Sequence, residues 1–526
     1  MTRKTFVSAG WPYLYEIPGL HNCIPMLFAD SVARYRRLLG EKVTFVTGAD
    51  EHGSRVEFVS EGLGTSPQAL VDAKVAATMP LLAELGMSFD VWGRTSDPRH
   101  KQFVASFVDR LLERGAIERR EVPVAFCPTC DRHIPDRFTQ GACPHCGGPA
   151  FGNQCNDKRK CGVLLEPSEL KDGHCAVCGG AFEMRAREHL FLPFAEYSDA
   201  LLRHIETSYA EAPAIRERAL AGLAGSQGAA LTRDGSWGVP LPNRAALPDR
   251  TVYSWVDSLL GKVSFADPAS REGALWREPG VEKLFFLGAD GVSFYGVLFP
   301  ALLMAAGDGY DIGAWRIVTN DVLIYEGGVC SKSGRNGISL PEALSLLPGD
   351  LWRFVIFEAE ARAALSGSTE GAADLDFRWD SFAAAANRDL ARIEAVYAPL
   401  EGRQPEPELG AAELRVVRDA LDALRPGWAF GLLLRLLHGD VRPTLAAGAL
   451  PLLSCFLPET AKKAEAVLAG GHLPPLFPGL PLDGAALRSK YLSLVAERRA
   501  GVDLAAEIAE ARGEFLLVCP TRLGER

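Results

Sequence analysis

The chain has 526 residues, 48% hydrophobic and 23% charged, a globular composition that excludes disorder, collagen and coiled coil. Its net charge of −10, from 66 acidic and 56 basic residues, argues against a broad nucleic-acid-binding surface. No run of 18 apolar residues and no apolar N-terminal signal segment occurs, so we expect a cytoplasmic protein without a membrane span.

The first 85 residues alternate between strand and helix patterns. Residues 4–9 predict a short strand, which a loop rich in Pro and Gly follows as far as Gly19. Helical periodicity covers residues 24–39 and 67–85, and a buried strand is predicted between them at residues 42–50. This order of elements predicts a parallel, doubly wound sheet.

Cysteines give the next signal, because eight of the 12 fall in four pairs. The pairs are Cys127 and Cys130, Cys143 and Cys146, Cys155 and Cys161, and Cys175 and Cys178. A C-x-x-C hairpin directs two thiolates at one point, and two hairpins complete a tetrahedral zinc site. We therefore predict two structural zinc sites, although the wider spacing of the third pair departs from the pattern. Disulfides are the alternative, which a cytoplasmic location disfavours.

A second stretch of strands and helices follows the cysteines. Residues 281–290 and 316–324 predict strands, with a helix between them at residues 294–307. Residues after about 376 are rich in Ala and Leu with helical spacing, and predict a helical bundle.

Three loops follow predicted strands, at residues 11–22, 48–53 and 288–295. Ligands of a doubly wound sheet bind at the carboxyl ends of its strands. We therefore expect the three loops to converge on one pocket.

Together these segments resemble, in order, the methionyl-tRNA synthetase family of class I aminoacyl-tRNA synthetases. The matching segments are PYLYEIPGLHN (12–22), FVTGADEHGS (45–54), the cysteine pairs, LTRDGSWGVPLP (231–242), YSWVDSLLGK (253–262), LGADGVSFYGVLFP (287–300), VCSKSG (329–334), LWRF (351–354) and FLPET (456–460). The resemblance implies an α/β fold with a Rossmann-like doubly wound parallel sheet, a zinc-knuckle insertion and a C-terminal helical bundle.

The same resemblance divides the chain. The predicted parts are a first half of the catalytic domain (1–118), an insertion with two zinc knuckles (119–190), a second half with the SKS loop (191–345), a junction (346–375) and a degenerate helical bundle like an anticodon domain (376–526).

The first ATP signature of the family, HxGH/N, reads Gly19-Leu20-His21-Asn22 in this chain. Gly19 stands where the family has its first His, and His21 stands where it has Gly. The resemblance implies that His21, Asn22 and the following helix N-terminus contact the phosphates of ATP. The alternative is a broken phosphate site, because the oriented donor at position 19 is missing.

The second ATP signature matches the family more closely than the first, since Ser331-Lys332-Ser333 is identical to the SKS core of KMSKS. The resemblance implies that Lys332 stabilises the charge of the departing pyrophosphate. Gly288 and Asp290 match positions that hold the adenosine ribose. ATP and Mg²⁺ are the cofactors implied, beside the two zinc ions.

For the amino acid, the resemblance assigns the α-ammonium to Asp50 and two aromatic walls to Tyr13 and Trp255. Arg233 is placed to steady the carboxylate or the adenylate. An α-amino acid is therefore the expected first substrate.

The side-chain end of that pocket departs from the family. Lys262 replaces a Tyr, Tyr295 replaces a His and Gly291 replaces an aliphatic residue. A thioether pocket is apolar, so Lys262 argues against methionine, since it leaves a charge unpaired unless the ligand supplies a carboxylate. Glutamate is then favoured, or glycine if the altered residues fill the pocket. The alternative is that Lys262 snorkels to solvent.

In the family the tail reads the anticodon with a helix turn containing Trp, by stacking on unpaired bases. The matching residues 432–454 carry Arg442-Pro443 and no Trp. With the acidic net charge, this predicts that tRNA binding is lost.

The interpretation is a repurposed ligase that forms an aminoacyl-adenylate and passes the acyl group to a small-molecule amine or hydroxylamine. Similar synthetase-like proteins in natural-product biosynthesis are hydrazine synthetases, which form an N–N bond with a cupin; here the cupin would be a separate protein. The alternatives are a divergent methionine–tRNA ligase and a non-catalytic regulator that binds nucleotide or amino acid.

Overall fold

The computed structural model of the protein describes residues 2–500 with internal gaps. The gaps are residues 136–137, 153, 156–164, 246, 268–272, 321–322, 331–335, 366–374, 470–475 and 478. Cys161 and the SKS residues Ser331, Lys332 and Ser333 lie outside the described residues.

A five-stranded parallel sheet forms the centre of the fold. Its strands, in spatial order, are Trp315–Asn320, Glu282–Gly288, Lys4–Ala9, Lys42–Ala49 and Val91–Arg94. All adjacent strands pair in parallel. The chain leaves the central strand Lys4–Ala9 towards one side for Lys42–Ala49 and returns on the other with Glu282–Gly288, which makes this strand a topological switch point.

The predicted parallel, doubly wound sheet is therefore confirmed, with one correction to a strand boundary. The predicted strand 316–324 is two strands, because its partner Glu282–Gly288 ends where Gly288 pairs with Asn320. Leu323–Tyr325 instead joins a three-stranded sheet with Gly328–Val329 and Leu375–Phe377.

Helices cover both faces of the central sheet. The catalytic part contains Leu20–Leu38, Ser54–Gly62, Pro67–Glu84, Pro98–Glu113, Ser198–Ser208, Pro213–Ala224, Ser254–Ser264, Phe299–Ala306 and Leu340–Leu346. The helix predicted at residues 24–39 begins four residues earlier, at Leu20, where Asn22 Oδ1 accepts from Gly19 N–H and Asn22 N–H donates to Gly19 O.

The insertion is built of short antiparallel strands. Its long pair is Glu118–Cys127 with Glu183–Pro193, flanked by Arg132–His133 and Gly228–Ala230. A second small sheet contains Thr139–Ala142, Pro149–Phe151, Gln154–Cys155 and Lys171–Cys175, and a separate hairpin pairs Thr232–Asp234 with Arg250–Val252.

The remainder is helical, as predicted. Its helices are Gly349–Leu365, Trp379–Tyr397, Ala412–Asp422, Pro426–Leu437, Pro443–Phe456, Pro458–Leu468 and Gly484–Ala500. Residues of these helices share one continuous apolar core with helix Leu20–Leu38. The domain boundaries themselves stay predictions.

A buried ion pair joins the catalytic part to the helical tail. The Arg353 guanidinium donates to Asp30 Oδ2 at 2.8 Å, and both side chains are fully buried. Burial raises the pKa of Asp30, but Arg353 and Arg34 together hold it below its ordinary value.

One apolar segment, Ala289–Ala306, is long and apolar enough to cross a membrane by length and composition alone. In the fold, 72% of it is buried. It comprises the π-helical turn Phe294–Leu298 and the helix Phe299–Ala306, whose side chains pack into the core beside the central sheet. A cytoplasmic location stays a prediction.

Candidate active site

A deep cleft opens at the carboxyl ends of the parallel strands, and all three predicted loops line it. The predicted site residues in its wall are Tyr13, His21, Asn22, Asp50, Arg233, Trp255, Gly288, Asp290, Gly291 and Tyr295. Gly19 caps the helix beside the cleft, and Lys262 lies wholly buried behind its wall.

Asp50 and Tyr13 are held together by the backbone. Asp50 donates its N–H to Pro12 O at 3.0 Å and accepts from Leu14 N–H at 3.0 Å, which makes Tyr13 and Asp50 partners in a parallel bridge. Trp255 meets the Tyr13 ring edge to face, with ring centres 6.4 Å apart. An acidic side chain in a cleft that two aromatic rings also line suits an ammonium group.

Asp50 is buried, with 3% of its surface exposed. Burial raises the pKa of this carboxyl well above its ordinary value, and the neighbouring Asp257 adds to the rise, while Lys262 opposes it. A cationic ligand beside Asp50 would stabilise the ionised form and so gain binding energy.

Asp257 is the hub of a buried network. Its Oδ2 lies 2.5 Å from His52 Nδ1, and its Oδ1 lies 2.6 Å from His100 Nε2. His100 Nδ1 in turn lies 2.7 Å from Ser264 Oγ. Burial raises the pKa of Asp257, yet the two imidazoles together hold it below its ordinary value. Asp257 is thereby kept ionised and fixed behind Asp50.

Lys262 does not snorkel to solvent, since its side chain is completely buried. Its Nζ donates to Ser258 O at 2.8 Å and lies 4.2 Å from the Trp11 ring centre and 5.5 Å from that of Tyr295. Burial lowers the pKa of Lys262 to about 7, against the opposing effect of Asp50 and Asp257.

The exchange of Gly and His in the first ATP signature has a steric basis. A Cβ atom on Gly19 would lie only 2.9 Å from His21 Cε1 and 3.0 Å from His21 Nδ1. The His21 imidazole thus occupies the space into which a side chain at position 19 would extend. Glycine at one position and histidine at the other therefore fit together.

The backbone at this helix N-terminus is already largely engaged. Gly19 N–H donates to Asn22 Oδ1 at 3.1 Å, Leu20 N–H to Ile338 O at 2.9 Å, and Asn22 N–H to Gly19 O at 3.0 Å. The expected anion site of backbone N–H groups is therefore reduced. Side chains, above all His21, are the groups that remain suited to phosphate.

The residues flanking the SKS loop reach the same corner of the cleft. A Cβ on Gly337 would lie 3.4 Å from Cys330 Sγ and 3.8 Å from His21 Nδ1. Gly337 therefore lies close to both Cys330 and His21.

Gly288 and Asp290 adjoin one another at the end of their strand. A Cβ on Gly288 would lie 2.7 Å from Asp290 Oδ1, so the carboxylate folds back over the glycine. Gly291 is similarly restricted, because its Cβ would lie 2.6 Å from Leu287 Cδ1. A side chain at either position would therefore displace the end of the Asp290 or the Leu287 side chain.

Arg233 lies in the opposite wall of the cleft. Its guanidinium stands 3.9 Å from the Tyr253 ring centre and donates to Ala230 O at 3.1 Å and Thr232 O at 2.9 Å. These contacts hold the charge in a fixed position at the cleft.

The cysteines form two clusters, as predicted. Cys127, Cys130, Cys175 and Cys178 have sulfur atoms within 4.8 Å of one another, and so do Cys143, Cys146 and Cys155. The Cys127–Cys178 and Cys146–Cys155 sulfur distances are both 3.5 Å, near the roughly 3.8 Å edge of a tetrahedral zinc–thiolate site. Donor type and spacing therefore fit zinc at both clusters, the second having three described ligands.

Sequence reasoning missed Trp11, His52, His100 and Asp257. Trp11 and His52 stand inside the segments that were singled out, at the ends of the first two strands. Their position after a strand was the available signal. No local sequence pattern indicates a role for His100, because its partner Asp257 is 157 residues away in the sequence and only the fold brings the two together.

Comparisons with known proteins point to the same family as the sequence motifs do. The family described as "tRNA synthetases class I (M)" matches residues 5–396. The methionine–tRNA ligase of Thermofilum pendens is 36% identical over 398 residues, which cover 74% of this chain and 68% of the relative. That of Aeropyrum pernix is 35% identical over 426 residues, covering 77% and 72%.

Among solved structures, methionyl-tRNA synthetase of Mycobacterium tuberculosis bound by methionyl-adenylate is similar with a TM-score of 0.64. The likeness covers 92% of this chain and 99% of that chain at 19% identity, which shows a common fold.

Proposed function

The chain belongs to the class I tRNA synthetases of the M type and is an ATP-dependent ligase, and we propose that it activates an amino acid other than methionine for a small-molecule acceptor. In the first step the carboxylate of the amino acid attacks the α-phosphorus of ATP and releases pyrophosphate. In the second step an amine or hydroxylamine nitrogen takes the acyl group and AMP leaves.

One observation carries the activation step: Asp50, Asp290 and His21 all line one cleft at the switch point of the sheet. Asp50 would hold the α-ammonium between Tyr13 and Trp255, and Asp290 with Gly288 the ribose. Class I synthetases use ATP and Mg²⁺, and the two cysteine clusters would hold structural zinc.

At the phosphates, His21 would replace the histidine absent from position 19. Its imidazole stands against the Gly19 backbone and so returns a donor to the start of the helix. Asn22, which caps Gly19, fixes the turn, and Arg233 would steady the adenylate. Lys332, with Ser331 and Ser333, would neutralise the departing pyrophosphate.

A substrate other than methionine is favoured by the chemistry behind Asp50. Lys262 is buried there against Trp11 and Tyr295. A thioether side chain would need the space that the side chains of Lys262, Trp11 and Tyr295 fill. The side-chain pocket of a methionine enzyme is apolar.

A small acceptor instead of tRNA is favoured by the helical tail. Arg442, at the start of helix Pro443–Phe456, contacts Glu408 at 3.2 Å and Glu413 at 3.3 Å. A cation already paired with two carboxylates adds little to the phosphate contacts on which tRNA affinity depends. The pathway proposed is N–N bond formation in natural-product biosynthesis, with a separate cupin as partner.

A divergent methionine–tRNA ligase is the second candidate, and the names of the relatives favour it. It requires methionine activation and charging of tRNA. A non-catalytic binding protein is the third candidate, and it is favoured by the altered Gly19 loop.

Amino-acid-dependent ATP–pyrophosphate exchange with a mixture of the common amino acids tests activation. We expect exchange without tRNA in the wild type and a loss of at least 100-fold in Lys332→Ala. Lys490→Ala, an exposed lysine on the last described helix, is the matched control and should retain full exchange. A protein that binds ATP without any exchange would refute the ligase activity proposed, and charging of tRNA with methionine would establish the second candidate.

A further inference from the structure

The wall behind Asp50 is closed by a tryptophan wedged between two glycines. A Cβ on Gly93 would lie 2.4 Å from Trp11 Cη2, and one on Gly261 would lie 2.6 Å from the same atom. The indole therefore fills the groove between strand Val91–Arg94 and helix Ser254–Ser264 completely. Only glycine at both positions admits it.

Two further side chains fill the space beside this indole. Lys262 Nζ lies 4.2 Å from the Trp11 ring centre and 5.5 Å from that of Tyr295. Tyr295 is 3% exposed and Lys262 is completely buried. Trp11, Ser258 and Tyr295 face the cleft, and the ammonium lies behind them.

The charge of Lys262 has a use within the protein. Asp50 and Asp257 are buried carboxylates, and both interact with this ammonium. Asp257 is shared between His52 and His100, which leaves Lys262 as the lysine that offsets the charge of Asp50. A buried carboxylate pair without a cation nearby would be costly.

This geometry decides between glutamate and glycine, the two substrates proposed from the sequence because of Lys262. An acidic side chain would have to reach an ammonium that lies behind three side chains and has no exposed surface. A small amino acid needs no such access, because its α-ammonium meets Asp50 in the cleft itself.

We infer that Trp11 is a specificity-determining residue which, with Lys262 and Tyr295, fills the side-chain end of the amino-acid site and limits the substrate to glycine or alanine. This inference rests on the proposed function, in which Asp50 holds the α-ammonium. Larger side chains are excluded because close-packed residues already occupy their place.

The test compares three non-hydrolysable mimics of the aminoacyl-adenylate, namely glycyl-, glutamyl- and methionyl-sulfamoyl-adenosine. The three compounds differ only in the amino-acid side chain, so isothermal titration calorimetry on the full-length protein measures the contribution of that side chain to the binding affinity. We expect the glycyl compound to bind the wild type at least 100-fold more tightly than the methionyl compound. Trp11→Ala should reduce this ratio at least tenfold, whereas Lys490→Ala, at an exposed position on the last described helix, should leave it within threefold.

Tighter binding of the glutamyl or methionyl compound by the wild type overturns the inference. The measurement on the wild type decides the question even if Trp11→Ala does not fold. A folded Trp11→Ala with an unchanged ratio also overturns it. Selective binding of the glycyl compound without ATP–pyrophosphate exchange would leave the inference standing and refute the activation step, so the two failures are distinguishable.

Discussion

Replacing Lys262 by methionine should change the stability of the protein, relative to the wild type, by an amount that depends on pH. Methionine keeps the length of the side chain and removes the charge that burial disfavours. The pKa of Lys262 is lowered to about 7 in the fold, whereas an unfolded chain holds this proton up to about pH 10.4. Between these values only the unfolded wild type carries the proton, so the wild type gains stability as pH rises.

The free energy of unfolding of the wild type should rise by about 1.4 kcal/mol per pH unit in this range. Urea unfolding at pH 7.5 and 9.5 should therefore show the stability of Lys262→Met falling by about 3 kcal/mol relative to that of the wild type. Loss of the ammonium also raises the pKa of Asp50 further, which weakens the variant as pH rises and acts in the same direction. The exposed Lys490→Met should show no such trend. A stability difference between Lys262→Met and the wild type that stays constant from pH 7.5 to 9.5 would mean that the Lys262 ammonium is solvated and that the reasoning is wrong.

Three further outcomes follow from the structure. Arg353→Met removes one of the two arginines that pair with the buried Asp30 and leaves the buried carbonyls of Cys455 and Phe456 without this donor, so it should lower the free energy of unfolding by about 3–5 kcal/mol. Arg488→Met, at an exposed pair, should cost under about 1 kcal/mol in the same urea titration; equal losses would contradict this. His21→Ala should reduce ATP–pyrophosphate exchange roughly 100-fold or more with unchanged thermal stability, and full exchange would remove His21 from the phosphate site. Metal analysis should find zinc at both cysteine clusters, and Cys127→Ser should lose the zinc of its own cluster only; loss from both, or neither, would contradict independent sites.

The parts of the fold predicted from sequence are those with strong local patterns. Strand Lys42–Ala49 is rich in β-branched and aromatic residues. Helix Pro67–Glu84 begins with Ser66 as its N-cap, followed by Pro67 at the first helical position. The boundary at Asn320 was missed because the apolar pattern continues to Ile324. A strand ends where its partner ends, and Gly288 is distant in sequence.

Ten of the predicted site residues line the cleft, but their packing was not predicted from sequence. Lys262 was recognised as a departure from the family, yet its environment depends on Trp11 and Tyr295, both distant in sequence. Gly93 and Gly261 appear unremarkable as sequence, and only the fold brings them to opposite sides of one indole. Side-chain volume at a site built from distant segments is a tertiary property.

The amino acid that this ligase activates is the central claim, and ATP–pyrophosphate exchange measured with one amino acid at a time, without tRNA, tests it most directly. We predict exchange with glycine, weaker exchange with alanine, and rates with methionine and glutamate at least 100-fold lower. Exchange with methionine alone would contradict the proposal and identify the protein as a divergent methionine–tRNA ligase.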